Sequence, residues 1–323
     1  MSKLIKKVQY IGLDVGRGYL KAFSLYDGIE YSCKFKSVAG LGRNIELSEY
    51  EKPIHIEVAN QEWFIGEVAE YEGDTKIYNT RDDKTTKTVE TLIYGALNEI
   101  AMSEHVKIML GVPNKSFKKS VLTAVIEKYK GKTIEIKNKI TGAYKKVTIL
   151  DISIFREGDA ALLWHANNYP TLANGDLALV TVGFRTTELS YYNKGLKFND
   201  KLSKTIEKGN KTALEFVQRQ LAKKEESVIH ELGVIDSSSE YQALKNTAYE
   251  VLSESIANDI EQTWINLPEI AIFTAGGTAL HLKLEYELIE DPQMATAKGL
   301  WLVATKKFTG PMRCPAQRPS PAI

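Results

Sequence analysis

The sequence contains very little cysteine. Cys33 and Cys314 are the two cysteines among 323 residues, and they form neither a CxxC pair nor a Cys/His cluster. Disulfide-rich scaffolds and structural zinc sites need several such residues at short spacing. We therefore expect a protein of the reducing cytoplasm, with neither a disulfide framework nor a zinc site.

Long apolar runs and an excess of one charge are lacking as well. The apolar stretch near the N-terminus is soon interrupted by Gln9 and Asp14, which is unlike a signal peptide or a membrane span. The 42 basic and 41 acidic residues nearly cancel, whereas direct nucleic-acid binding normally comes with a strongly positive surface. We expect no direct contact with membrane or nucleic acid, and any link to DNA through a partner protein.

The length and the strand pattern predict two lobes. A chain of 323 residues exceeds what one hydrophobic core usually supports. Residues 8–36 alternate β-branched and aromatic residues with polar ones between glycine turns, which predicts an antiparallel meander. Residues 177–195 repeat this pattern, which favours a duplicated βββα unit. Four pairs match at a constant offset of 167: Asp14 with Thr181, Gly16 with Gly183, Lys21 with Glu188, and Gly28 with Gly195.

The rest of the chain alternates predicted helices and strands, which indicates the α/β class. A helix is expected at 117–129 with Ser116 as its N-cap. Residues 309–323 hold four of the nine prolines without apolar periodicity, so we expect an unstructured tail there. The other predicted elements are strands at 55–58, 63–65, 106–111, 177–182, 187–192 and 270–275, two strands joined at Thr141-Gly142 and ending near Phe155, and helices at 88–102, after Gly158, and at 212–223, 240–266 and 294–308.

A glycine-rich turn, Asp14-Val15-Gly16-Arg17-Gly18, follows the first predicted strand and leads to Lys21. Glycines allow successive backbone N–H groups to point at phosphate oxygens. Asp14 at the strand end suits a Mg²⁺ ion held through water, and Lys21 suits a phosphate group. The same residues would also serve an ordinary hairpin, in which glycine only supplies a positive φ.

A second turn, Thr181-Val182-Gly183-Phe184-Arg185-Thr186, occupies the matching place in the other half. Two facing hairpins could clamp one polyphosphate from both sides. The repetition therefore favours phosphate binding over two unrelated hairpins.

Two further motifs are weaker on their own. Gly276 and Gly277 follow a predicted buried strand, where missing side chains let the backbone approach a flat ligand such as a base. Glu157 stands just before a predicted helix, where a carboxylate could orient or deprotonate a water molecule. A glycine loop after a strand and a glutamate that stabilises a helix N-terminus are the plain structural alternatives.

Taken in this order, the four motifs resemble those of the actin/Hsp70/sugar-kinase superfamily. The segments IGLDVGRGYLKAFS and VTVGFRTTELSYY are similar to the two phosphate hairpins of bacterial and archaeal actin-like proteins of the plasmid-segregation (ParM) type. The resemblance extends over residues 8–308, with residues 295–299 as the second connecting segment. It implies an actin-like (ribonuclease H-like) fold of two lobes, each a βββα-type mixed sheet with flanking helices, and a nucleotide cleft between them. Lobe I would comprise 1–155 with 297–308 returning to it, and lobe II 156–296.

The resemblance also implies an activity. It implies an ATPase that binds ATP or GTP with Mg²⁺, polymerises into filaments and moves plasmid DNA through a DNA-binding centromere adaptor. Glu157 and Asp14 would be catalytic, and Asp14 and Thr181 would hold the metal. The residues that it places on the nucleotide are Gly16, Arg17, Gly18, Lys21, Gly183, Phe184, Arg185, Thr186, Gly209, Lys211, Glu215, Gly276 and Gly277.

One departure from the family pattern concerns the metal. The second hairpin ordinarily begins with Asp, where this chain has Thr181, and Glu188 replaces the usual distal Asp. Because a hydroxyl is neutral, a divalent ion loses one compensating charge, and we expect weaker Mg²⁺ binding or slower hydrolysis. Arg17 and Arg185 could supply fixed cations on the phosphates instead, or could simply be exposed arginines.

Two other functions stay open on the sequence alone. A small-molecule kinase of the same superfamily would need an acceptor pocket, and Glu157 could serve as its base. A nucleotide-dependent scaffold with little turnover is made more credible by Thr181.

Overall fold

The structure is a computed structural model that describes residues 7–224, 230–265 and 267–309. It contains two mixed sheets with flanking helices, which confirms the α/β class. The strands are β1 Gln9–Val15, β2 Tyr19–Tyr26, β3 Ile29–Lys36, β4 Val38–Leu41, β5 Ile54–Val58, β6 Gln61–Ile65, β7 Asp74–Tyr78, β8 His105–Val112, β9 Thr133–Asn138, β10 Tyr144–Arg156, β11 Leu177–Val182, β12 Thr187–Asn193, β13 Lys197–Ile206, β14 Ala271–Ala275 and β15 Glu287–Leu288. The helices are α1 Glu67–Glu72, α2 Lys87–Ile100, α3 Lys119–Tyr129, α4 Glu157–Asn168, α5 Asn210–Lys224, α6 Leu232–Ser237, α7 Gln242–Thr263 and α8 Ala295–Thr309.

The two sheets have related centres. The first sheet has ten strands in the order β3-β2-β1-β8-β10-β9-β5-β6-β4-β7, and the second has five in the order β13-β12-β11-β14-β15. In each sheet an antiparallel meander continues through a parallel neighbour, β8 beside β1 and β14 beside β11. The register agrees as well, because Asp14 lies opposite Lys21 and Thr181 lies opposite Glu188. The offset seen in the sequence is thus a repeat of strand pairing.

Each sheet has its own hydrophobic core. The first sheet buries Ile11, Leu13 and Leu110 against α2 residues such as Leu92. The second buries Val180 and Leu189 against α5 and α7. Since apolar burial contributes about 25 cal/mol per Å² and needs a contiguous cluster, two separate cores explain why the chain folds around two sheets.

Helices α4 and α8 cross so closely that the crossing requires glycine. A Cβ on Gly299 would lie 1.8 Å from the Ala160 carbonyl oxygen of α4. On the other face of α8, a Cβ on Gly12 of β1 would lie 2.1 Å from the Ala297 carbonyl oxygen. These backbone contacts fix α4, the helix that follows β10, against the centre of the first sheet.

Several elements differ from the sequence predictions. Ser116 is wrong as the N-cap of α3, since it ends a 3-10 turn at Asn114–Ser116 and α3 begins at Lys119 without a side-chain cap. The polar stretch 40–90 contains β4, α1 and β7, which its irregular pattern did not reveal. α6 was also missed. Of the predicted tail, Thr309 ends α8, and 310–323 lie outside the described residues.

We propose lobe boundaries close to those expected from the sequence. All ten strands before Glu157 belong to the first sheet, and the five later strands belong to the second. α8 packs back on β1 and β8 of the first sheet. These placements support lobes at 1–155 with 297–308, and at 156–296. Within the described ranges, no helix combines the length and the apolar character that crossing a bilayer takes.

The α4–α8 crossing gives a first prediction. Gly299→Ala should destabilise the protein by about 3 kcal/mol, because the added methyl group meets backbone that cannot move aside. The thermal unfolding midpoint measures the effect. Gly175→Ala is the matched control, since a Cβ there meets nothing within 4 Å, and it should leave the midpoint unchanged. Equal midpoints for the two variants would mean that the helices do not cross in this way.

Candidate functional site

The largest group of predicted site residues lines one cavity between the two sheets. Its volume is about 490 Å³, within the range of small-molecule sites. Its walls carry six Lys or Arg side chains against four Asp or Glu, which favours an anionic ligand. The predicted site residues that line it are Asp14, Gly16, Arg17, Gly18, Lys21, Glu157, Thr181, Gly183, Phe184, Arg185, Thr186, Gly276 and Gly277.

The first glycine turn is tied down through its carbonyl groups. The Gly16 carbonyl accepts from the Ser37 hydroxyl at 2.7 Å and from the Asn79 amide at 3.0 Å. The Val15 carbonyl accepts from Lys84 at 2.8 Å. In a trans peptide the C=O and the following N–H point in opposite directions, so the N–H groups of Gly16 and Arg17 point away from these anchors. Neither Gly16 nor Gly18 has a positive φ, so the glycines do not supply a left-handed turn here, and the anchored carbonyls leave the N–H groups of the turn as candidate donors to an anion.

The second turn is held in the same way. The Gly183 carbonyl accepts from the Asn210 N–H at 3.1 Å and from the Thr278 hydroxyl at 3.0 Å, and the Phe184 carbonyl accepts from the Lys211 N–H at 2.7 Å. The two turns meet directly, since a Cβ on Gly18 would lie 3.0 Å from the Phe184 side chain. Both glycine turns thus have fixed carbonyls and face one cavity.

Asp14 and Thr181 occupy matching strand ends but differ in their bonding. Asp14 is buried and its Oδ2 accepts from Lys21 Nζ at 2.9 Å. The Thr181 hydroxyl is buried and makes no hydrogen bond to the described residues. Buried polar atoms nearly always have a partner, so this hydroxyl suits an ordered water or a bound group. The pair offers hard oxygen donors to the cavity.

Glu188 lies behind this pair and does not line the cavity. It is 6% exposed, and its carboxylate accepts from the Asn114 N–H at 3.2 Å. Burial raises the pKa of Glu188 to about 8, and the negative charge of Glu157 adds to the rise. At neutral pH the Glu188 side chain is therefore mostly uncharged.

Glu157 begins α4 and reaches the cavity beside the first turn. Burial raises its pKa to about 7; Lys84 acts in the opposite direction, and Asp14 raises the pKa further. Lys84 Nζ lies 3.6 Å from Glu157 Oε1. A carboxylate with a pKa near neutrality is suited to general base catalysis.

The two arginines differ in their surroundings. One guanidinium nitrogen of Arg17 is paired with Asp82, and another is buried without a partner among the described residues. Burial opposes the ionisation of Asp82, but the bonds from Arg17 and Lys115 outweigh it and lower the pKa of this carboxyl. Arg185 is more exposed and donates to Glu207 at 3.1 Å. Arg17 is thus the arginine with an unused donor inside the site.

At the other end of the cavity, Gly276 needs its glycine. Its φ is +93°, and a Cβ there would lie 2.3 Å from the Val182 carbonyl oxygen. Nearby, His281 stacks on Tyr249 at a centroid distance of 5.0 Å, and the Tyr249 hydroxyl donates to Asn210 at 2.8 Å. Asn210 donates in turn to Asp236 at 3.1 Å. This chain of contacts fixes a ring and a carboxylate beside a glycine loop.

Three predicted residues lie outside this lining. Gly209 packs on the second turn, where a Cβ would lie 2.6 Å from the Gly183 carbonyl oxygen. Lys211 lines a neighbouring cavity of about 360 Å³, and its side chain pairs with Glu215 at 3.3 Å on an exposed face of α5. The structure therefore does not bring Gly209, Lys211 or Glu215 to the larger cavity.

Other lining residues were missed from the sequence. Lys84 lies in a polar stretch whose charges look like those of any surface loop, and Asp236 belongs to the short helix α6. Local signals existed for Asn210, next to the predicted Gly209, for Thr278, next to the predicted Gly277, and for Thr296, within the connecting segment 295–299. The missed lining residues with polar side chains are Lys34, Arg81, Asp82, Lys84, Asn210, Asp236, Thr278, His281, Gln293 and Thr296.

Two glycine hairpins on related sheets, with a cavity between them and two crossing helices below, define an actin-like fold. Residues 12–158 match the family model described as the N-terminal domain of actin-like proteins. No curated protein sequence matches the chain. The chain thus has an actin-like fold, and its segment 12–158 is similar in sequence to the N-terminal domain of actin-like proteins.

Solved structures agree on the fold. The crystal structure of the archaeal actin homolog Ta0583 is similar with a TM-score of 0.78 and 18% identity, covering 93% of this chain and 100% of that one. A 15-stranded ParM filament from Clostridium botulinum gives a TM-score of 0.76 at 19% identity, over 93% and 99%. ParM of Bacillus thuringiensis with ATP gives 0.66 at 14%, over 94% and 100%. At these identities the likeness shows a shared fold.

The buried carboxyl of Glu188 predicts a pH-dependent stability. Its pKa rises from the ordinary 4.5 to about 8 on folding. The folded protein therefore holds this proton more tightly, and the resulting stability is complete below pH 4.5 and lost as the pH rises through 8. The loss is at most about 1.4 kcal/mol per pH unit.

Thermal unfolding from pH 5 to 8.5, without nucleotide or metal, measures this loss. The midpoint of the wild type should fall more steeply with pH than that of Glu188→Gln. The exposed Glu30→Gln is the control and should follow the wild type. Parallel curves for all three proteins would contradict the burial of an uncharged Glu188.

Proposed function

We propose that the chain binds ATP between its two sheets, hydrolyses it and assembles into filaments in the cytoplasm, for the segregation of plasmid DNA. One observation carries this proposal above the others. Two hairpins with the same register present anchored glycine turns to one cavity with an excess of cationic side chains. This arrangement suits a polyphosphate held from both sides.

The phosphates would lie between the turns, with Lys21 and the unused nitrogen of Arg17 as cations. The nucleoside would lie toward Gly276 and Gly277. There the Asp236 carboxylate can accept from ribose hydroxyls, and His281 offers a ring face to the base.

The oxygen donors fit a magnesium ion. Asp14 supplies a carboxylate and Thr181 an unpartnered buried hydroxyl, and hard oxygen ligands are what Mg²⁺ takes, usually together with water and phosphate. A bound Mg²⁺ would neutralise charge on the phosphates. With Thr181 in place of a second carboxylate, the two strand ends provide a single negative charge.

Glu157 is the proposed group for hydrolysis. Its carboxylate would orient a water molecule and accept its proton as the water oxygen attacks the γ-phosphorus. The bond between the γ-phosphorus and the bridging oxygen then breaks, and that oxygen leaves with ADP. Positioning and charge stabilisation account for most of the rate in this chemistry.

The likeness to a filament-forming protein supports the proposed assembly. A ParM from Clostridium botulinum with the same fold forms a filament, which supports self-association of this chain. The near-neutral net charge supports a link to DNA through a centromere-binding adaptor protein.

The Thr181 hydroxyl, which has no hydrogen-bond partner among the described residues, favours one alternative. This alternative is a scaffold that assembles with nucleotide but hydrolyses it slowly.

Light scattering and negative-stain microscopy with Mg·ATP, ADP and a non-hydrolysable analogue distinguish the possible functions, with phosphate release measured in parallel. Filaments with ATP and phosphate release are expected. Filaments without release would indicate the scaffold. An absence of filaments with every nucleotide would contradict assembly, and phosphate transfer to a small-molecule acceptor would indicate a kinase.

Glu157→Gln should lower phosphate release by about 100-fold or more, since the amide cannot accept the water proton. Nucleotide affinity should stay within about threefold, and filaments formed with ATP should persist longer. Glu127→Gln, an exposed substitution on α3, is the control and should behave as the wild type. Unchanged phosphate release in Glu157→Gln would remove Glu157 from the reaction.

Thr181→Asp should lower the Mg²⁺ concentration that half-saturates nucleotide binding, because it restores a negative charge at the strand end. Asn has nearly the same shape as Asp but no charge, so Thr181→Asn should not lower this Mg²⁺ concentration. A titration of Mg²⁺ at fixed ATP measures the difference. If Asp and Asn give the same curve, Thr181 does not face the metal.

A further inference from the structure

A buried lysine, Lys84, contacts both the first glycine turn and Glu157, the two parts of the site whose relative position the proposed reaction depends on. The Lys84 side chain is 5% exposed. Its Nζ donates to the Val15 carbonyl at 2.8 Å and lies 3.6 Å from Glu157 Oε1. Lysine is almost never fully buried without partners, because removing its charge from water is costly. The position of Lys84 therefore needs an explanation beyond packing.

The backbone around Lys84 is fixed on both sides. The Lys84 carbonyl accepts from the Tyr129 hydroxyl at 2.7 Å, deep in the core of the first sheet. Asp82 pairs with Arg17 of the glycine turn, and Thr86 caps α2 by accepting from the Val89 N–H at 3.3 Å. A side chain that starts from so rigid a base can place its Nζ reproducibly.

The charge of Lys84 is also placed to act on Glu157. Lys21, the other lysine close to the strand end, is engaged by Asp14 at 2.9 Å. Lys84 makes the ion pair of Glu157 within the described residues. The same Nζ bonds to Val15, so the carboxylate at the start of α4 and the turn after β1 share one cation.

We propose that Lys84 is a positioning residue for nucleotide hydrolysis, which holds the Glu157 carboxylate at a fixed place relative to the first glycine turn. The inference rests on the proposed hydrolysis. Water bound to Glu157 is then aligned with a phosphate bound to the turn, since one lysine sets both positions. Misplacement of a reacting group by about 1 Å can lower the rate about 100-fold. Loss of the Lys84 cation alone can therefore lower the rate of hydrolysis.

A purely structural role would look different. Asn79 offers the comparison, because its amide donates to the same Val15 carbonyl at 3.4 Å and to Gly16 at 3.0 Å, and it is also buried. Asn79→Leu removes an anchor of the turn and leaves the Lys84–Glu157 pair in place. Lys84→Met removes the charge and keeps most of the side-chain volume.

The experiment measures kcat, KM and ATP affinity for the wild type, Lys84→Met and Asn79→Leu, each with and without Glu157→Gln. Single-turnover phosphate release extends the range to slow variants. Lys84→Met should lower kcat by about 10- to 100-fold with KM changed by less than about threefold. In the Glu157→Gln background, Lys84→Met should cause no further loss, because its effect passes through that carboxylate. Asn79→Leu should act mainly on KM, and its effect should be the same in both backgrounds.

Thermal unfolding of the same variants gives a readout that is independent of turnover. The destabilisations by Lys84→Met and Glu157→Gln should be non-additive, whereas those by Asn79→Leu and Glu157→Gln should add. Full kcat in Lys84→Met, or equal losses of kcat in both backgrounds, would overturn the positioning role while leaving the proposed hydrolysis intact. A wild type that releases no phosphate would instead overturn the proposed hydrolysis, and this role with it.

Discussion

The close crossing of α8 with its two neighbours is the constraint on which the rest of the structure depends. Gly12 and Gly299 let the backbone of α8 approach β1 on one side and α4 on the other at distances that no side chain permits. Because Glu157 is the first residue of α4 and Asp14 lies near the end of β1, this contact sets the distance between them. The geometry of the cavity is therefore decided by backbone packing below it.

Above that crossing, the two hairpins anchor their glycine turns with different residues. In both, carbonyl groups are anchored by surrounding donors, which turns the adjacent N–H groups away from the anchors. The first turn uses side chains such as Ser37 and Asn79, whereas the second uses the N-terminal N–H groups of α5. Shared register with different anchors is what a duplicated unit would show after each copy had adapted to its own lobe.

The sequence allowed the fold class, both hairpins and their offset to be predicted, because glycine turns and alternating strands are local signals. Between residues 38 and 90, the strands at 55–58 and 63–65 were predicted, whereas β4 and β7 were not, since they pair with partners distant in sequence and carry no clear alternation. Among the residues that line the cavity, the glycines of the two turns and Glu157 were predicted, but Lys84 and Asp236 were not. The sequence alone does not distinguish a buried lysine from an exposed one, because burial depends on tertiary packing. Glu215 shows the reverse case, in which a plausible residue lies on an exposed helix face paired with Lys211.

In the proposed site, the two hairpins would place different charges beside the phosphates. The first hairpin brings Asp14 together with Lys21 and Arg17, while the second brings a neutral Thr181 backed by Glu188, whose raised pKa leaves it mostly uncharged at neutral pH. If a nucleotide and a metal bind as proposed, protein cations would offset more of the phosphate charge, and the metal would have one carboxylate, Asp14, at the two strand ends. Fixed cations raise the turnover rate only to the extent that they stabilise the transition state more strongly than the bound nucleotide. The rate would then depend on how well Glu157 is placed, which makes its positioning the controlling feature of this site.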